Sequence, residues 1–111
     1  MANIYKFQVG PDPVCVQIPR QTFNAVTFIE TRPGSPDGSL KIESGTAPDS
    51  LTASTTITTS GHFIHRQDLP VDSDVTKTYH QFTATDVIVD VELISFWPSV
   101  VVNFGSWSPT C

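Results

Sequence analysis

Apolar and polar side chains alternate along most of this chain. Tyr5, Phe7 and Val9 fall on one side of the stretch 5–9 and Lys6 and Gln8 on the other, the two-residue period of a half-buried strand. The GPDP of residues 10–13 breaks the pattern, because each proline fixes φ and removes a backbone donor. Val14, Val16 and Ile18 then resume it on one face, so that the pair reads as a hairpin or as an arm entering a sheet. NAVTFIET, residues 24–31, is a third strand with Val26 and Phe28 opposite Thr27 and Ile29. RPGSPDGS is a loop with two prolines and two glycines, and LKIES beyond it turns Leu40 and Ile42 inward.

The middle of the chain is almost uncharged. TASTTITTS, residues 52–60, is β-branched at six of its nine positions, which suits a pleated strand and disfavours a helix. Gly61 interrupts it, HFIHRQ resumes an extended pattern, and DLPVDSD is a polar loop. VTKTYHQFTAT and VIVDVELISF follow as long strands, the second with Val87, Val89, Val91 and Leu93 on one face and Asp90 and Glu92 on the other. SVVVNF closes the series and GSWSPTC is a tail.

About nine strands, spaced roughly 8–12 residues apart with turn residues between most of them, predict an all-β domain. Two antiparallel sheets packed face to face satisfy the pattern, as a sandwich or a jelly roll, and the periodicity does not separate the two. The expected core is led by Phe28, Leu40, Ile42, Phe82, Val87, Val89, Val91 and Leu93. With 111 residues, 39 % of them hydrophobic, the whole span 1–111 is one domain with one core.

Charge narrows the range of partners. Six Lys and Arg against eleven Asp and Glu give a formal charge of −5, with no basic stripe to neutralise phosphates, so direct nucleic-acid binding is not expected. MANIYKFQVG has no basic segment leading into an apolar one, and no apolar run approaches the roughly 20 residues of a membrane helix. The expectation is synthesis in a cytoplasm, without a membrane partner. Cys15 and Cys111 are too few for a disulfide scaffold or a zinc site, and cytoplasmic synthesis predicts two free thiols, with Cys15 inside a strand.

Candidate chemistry is sparse. His62 and His65, three apart on a strand, point to opposite faces, and His80 belongs to another strand, so polar or hydrogen-bonded roles fit better than a metal site. Asp72 and Asp74, with Asp68 nearby, lack the longer ligand series of a calcium loop. Asp90 and Glu92 share a face as two catalytic carboxylates would, but also as the wet side of a half-buried strand would. No nucleophile elbow or phosphate loop occurs, so no catalytic residue, metal or cofactor is expected. Trp97 and Trp107 raise a carbohydrate reading, since sugars stack on exposed aromatic faces.

The two ends, 1–9 and 105–111, are the expected contact segments. Ile4, Tyr5, Phe7 and Trp107 are large apolar or aromatic side chains that a small sandwich covers poorly, and such anchors supply much of the energy at interfaces. Alternatively each end folds back as an edge strand or a lid. The Thr/Ser run is either an interface strand, with hydroxyls to donate and accept and few charges to desolvate, or an ordinary solvent-facing one.

In its length, in its MANIYKFQVG start, and in its acidic, Thr/Ser-rich, catalytically bare β texture, the whole chain resembles the small decoration (cement or staple) proteins of tailed-phage capsids. The resemblance implies a jelly-roll-like fold and a place on the outer surface of the virion. It also implies the major capsid protein and a second copy of the chain, paired across a symmetry axis, as partners, and clamping rather than catalysis as the task. It carries no functional residue over. Two other functions share the composition: a carbohydrate-binding sandwich using Trp107, His62 and the Ser/Thr surface, and a minor tail or fibre-attachment component.

Overall fold

A computed structural model describes residues 3–19, 25–45, 47, 50–59, 63–69, 77–95 and 101–104. Nine strands follow in chain order: β1 (Asn3–Val9), β2 (Val14–Pro19), β3 (Ala25–Thr31), β4 (Gly38–Gly45), β5 (Ala53–Thr59), β6 (Ile64–Leu69), β7 (Lys77–Thr85), β8 (Val89–Ser95) and β9 (Val101–Phe104). Each grows from one of the stretches read as extended, and every regular element among the described residues is a strand.

The strands form two antiparallel sheets, one ordered β1-β8-β3-β6 and the other β5-β4-β7-β2-β9. Four of the pairings are nested: β1 with β8, β2 with β7, β3 with β6 and β4 with β5. A chain that pairs its first strand with its eighth and its fourth with its fifth is one long hairpin, wound so that successive hairpin segments fall alternately in the two sheets. That winding is a jelly roll, with β9 added along β2. β1 and β2 do not form a hairpin with each other: the Pro-rich segment after Val9 carries the chain from one sheet to the other, where Ala84 N–H donates to the Gly10 carbonyl at 3.0 Å.

The core lies between the sheets. Phe7, Val9, Val89, Val91, Leu93 and Ile29 come from one side, and Val14, Val16, Ile18, Leu40, Ile42 and Phe82 from the other. Phe7 meets Phe82 edge to face, ring centroids 5.6 Å apart, and joins the two layers. Seven of the eight side chains expected to lead the core are buried; Phe28 is not, standing 39 % exposed. The reason is register. Val89, Val91 and Leu93 of β8 point inward, and their direct partners on β3 are Thr31, Ile29 and Thr27, so these three are buried with them. Phe28, opposite Glu92, is forced to the outer face. The buried Thr27 is accommodated because its hydroxyl donates to the Gln67 carbonyl at 3.2 Å.

Gly38 opens β4 where a side chain would not fit: a Cβ there would run into the Thr85 carbonyl oxygen. The loop before it is tied to the start of β8, with Ile88 N–H donating to Ser35 Oγ at 2.8 Å and Arg32 N–H to the Ile88 carbonyl at 2.9 Å.

Candidate interaction surfaces

Among the described residues, sheet order leaves four edges, on β1, β6, β5 and β9. An open edge presents unpaired N–H and C=O groups, and proteins usually blunt such edges with charge, proline or brevity. β1 carries Lys6, β6 carries Arg66, and β9 is only four residues long. β5 has none of these guards. Its seven residues, ASTTITT, include no charge, no proline and no glycine, and five of them are β-branched. β4 pairs with it along its full length, from Gly38 opposite Thr59 to Ser44 opposite Ala53. Gly38 N–H also donates to Thr59 Oγ1 at 3.0 Å, which pins the end of the strand. Ile57 packs on the core and Thr59 is buried, while Ala53, Ser54, Thr55, Thr56 and Thr58 are exposed. The uncharged middle of the sequence is therefore an edge strand with most of its hydroxyls in solvent.

The second surface is the outer face of the four-stranded sheet, where cross-strand register sets three rows. Ile4, Ile94 and Val26 make the first; Lys6, Glu92, Phe28 and Arg66 the second; Gln8, Asp90, Glu30 and Ile64 the third. A groove of about 370 Å³ crosses the lower two, lined by Lys6, Phe28, Glu30, Ile64, Asp90 and Glu92 together with Phe7 and Val91. Sequence alternation shows Asp90 and Glu92 sharing this face, but hides Phe28, because Val26/Phe28 and Thr27/Ile29 are comparable choices for the inward side.

The expected contact residues separate. Ile4 reaches the outer face and is exposed. Tyr5 packs against the core and Phe7 is part of it, because β1 is an edge strand whose odd positions point inward. Trp107 lies outside the described residues, as do Trp97, His62, Asp72 and Asp74.

The remaining chemistry differs from expectation at two positions. Cys15 is not a free thiol but disulfide-bonded. β9 runs beside β2 and places Asn103 opposite Cys15, so the topology returns the last strand to this cysteine, which a reading based on compartment does not foresee. The other cysteine of the chain, Cys111, lies outside the described residues. His80 is neither a solvated strand residue nor a hydrogen-bonded one. It is fully buried on β7 between Val16 and Ser44, both ring nitrogens lack a hydrogen-bond partner among the described residues, and burial pushes its pKa down to about 4. On the other sheet, His65 Nε2 lies 3.4 Å from Gln67 Oε1. Among the described residues no group of three His, Cys, Asp or Glu is placed to hold a metal ion.

No protein-family model, characterised protein or solved structure matches this chain.

Proposed function

We propose that this protein is a decoration protein of a tailed-phage head. In this reading it binds the outer surface of the shell, clamps neighbouring major capsid subunits, and pairs with a second copy of itself across a symmetry axis. The observation that carries the reading is the open, uncharged edge of β5. Such an edge can add to a strand of a neighbouring chain through main-chain hydrogen bonds, with Thr and Ser hydroxyls beside them and no charge to desolvate. The resemblance in length, opening residues and texture supplies the shell as the neighbour.

Physical chemistry supports the assignment in two further ways. Attachment repeated around a shell multiplies weak individual contacts into firm binding, so no single deep pocket is required. A chain of net charge −5 on the outer surface also stands away from the packaged DNA, where its charge costs the particle little. Because the protein binds only the assembled shell, it stabilises that state by mass action, as a ligand stabilises a folded protein.

The test uses empty heads of the encoding phage prepared without this chain. Purified protein is expected to co-sediment with them at a saturable ratio, and decorated heads to withstand heating and osmotic shock that break bare ones. Failure to co-sediment, or equal robustness with and without the protein, refutes the reading.

A further inference from the structure

Among the described residues three large hydrophobic side chains are exposed: Ile4 at 56 %, Phe28 at 39 % and Ile64 at 68 %. Single exposed apolar residues are ordinary on protein surfaces. These three are not scattered, because register places all of them on the outer face of the four-stranded sheet, and Phe28 and Ile64 line the same groove. Half-buried Val26 and Ile94 extend the apolar band toward Ile4.

Charge runs beside that band. The two central strands contribute Glu30, Asp90 and Glu92 to the face and no cation, while Lys6 and Arg66 stand on the flanking strands. Asp90 and Glu92 are half-buried and have no ion-pair partner among the described residues, although Lys6 lies directly across from Glu92. Half-buried carboxylates that close no ion pair are stabilised when a cation reaches them.

We infer that the outer face of the four-stranded sheet docks a protein segment carrying arginine or lysine next to aliphatic side chains. The cationic head settles over Phe28 and against Glu92 and Asp90, and the aliphatic neighbours cover Ile64 and Ile4. A guanidinium is suited to both contacts, since it stacks on an aromatic face and pairs with a carboxylate through two parallel hydrogen bonds. A phosphate-bearing ligand is disfavoured by the three central carboxylates. A second copy of the chain is disfavoured too, because a two-fold axis through the face would set those carboxylates against themselves. The face limits the size of the partner contact: four strands about 4.8 Å apart and five residues long at about 3.3 Å each span roughly 300 Å². A standard interface covers about 800 Å² per partner, so the occupant is a loop or an extended segment rather than a broad surface. This inference concerns a different surface from the β5 edge and stands whether or not the partner belongs to a capsid.

The test titrates the full chain with short peptides at low salt and follows backbone amide shifts. A peptide alternating leucine and arginine is compared with leucine–serine and leucine–glutamate peptides of equal length. The cationic peptide is expected to shift amides of β1, β8, β3 and β6, and to lose at least tenfold in affinity on Asp90→Lys/Glu92→Lys. Phe28→Ser is expected to weaken it by a similar factor while leaving the net charge at −5, which separates docking from general attraction. Equal binding of the neutral or anionic peptide overturns the inference. So do shifts confined to β5, self-association that Phe28→Ser abolishes, or a neutral oligosaccharide that fills the groove and is indifferent to the charge reversal. Melting curves of the variants confirm that they are folded. Loss of head binding with peptide docking intact refutes the capsid reading and leaves this one standing; the reverse pattern does the opposite.

Discussion

β3 and β5 are both seven-residue strands rich in β-branched side chains, yet they treat burial in opposite ways. β3 lies between β8 and β6, buries Ala25, Thr27, Ile29 and Thr31, and shows an aromatic to solvent. β5 has β4 on one side and no other strand among the described residues on the other, and five of its seven residues are exposed. Threonine is inside on one strand and outside on the other, so residue type does not decide the matter. Position in the sheet does: a central strand inherits its faces from two neighbours, and an edge strand answers to one. Both departures from simple hydrophobic sorting, the exposed Phe28 and the unguarded β5 edge, lie on the surfaces proposed to meet partners.

The largest effect that can break this comparison concerns the inward and outward faces around β3. Leu93→Ala, opposite the buried Thr27, should cost about 2–5 kcal/mol of stability in denaturant unfolding. Phe28→Ala should cost well under that, because the ring is not in the core. Equal losses would return Phe28 to the core and undo the register argument.

Acid should produce the next largest effect, through His80. Its folded pKa of about 4 lies below the ordinary 6.5, so the unfolded chain binds the proton that the folded one refuses. Stability is then full above pH 6.5 and falls as pH drops toward 4, by a total of about 3 kcal/mol over that window. Carboxylates titrate at the lower end as well, so the diagnostic is the difference from His80→Leu, which should lose much less between pH 6.5 and 5. Parallel curves for the two proteins would contradict the buried, unpartnered imidazole.

A smaller pair of effects of opposite sign comes from β3 itself. Thr27→Val removes the hydroxyl that donates to Gln67 and leaves that carbonyl without it, at a cost of about 1 kcal/mol. Thr31→Val removes a buried hydroxyl that has no hydrogen-bond partner among the described residues, and should be neutral or stabilising by about 1 kcal/mol. Chemical denaturation of the two variants side by side would expose a reversed order.

Strand content was legible in the sequence because alternation, β-branching and turn chemistry are local: all nine stretches read as strands became strands within a few residues. Their arrangement was not, since pairing β1 with β8 or β2 with β7 depends on contacts far apart in the chain. The face of β3 was misread for the same reason. Ile29 and Phe28 are adjacent and both apolar, and only the neighbours β8 and β6 choose between them. The uncharged run at β5 was visible as a composition, but its place at an edge was not. Ile4, Tyr5 and Phe7 look alike as terminal apolar residues until the register of β1 sends Ile4 out and Phe7 in.

Attachment through the β5 edge is tested most directly by charging that edge without disturbing the fold. Ser54 and Thr58 are both exposed, opposite Glu43 and Ser39 of β4, so Ser54→Lys/Thr58→Lys meets no like charge directly opposite, Lys41 lying across from Thr56 between them. Stability should stay within about 0.5 kcal/mol of the parent per substitution. The measurement is co-sedimentation of this variant with bare heads, alongside its melting curve. The account predicts that binding is lost while melting is unchanged. Binding that persists at the parent's level, or that falls only in step with stability, would contradict it.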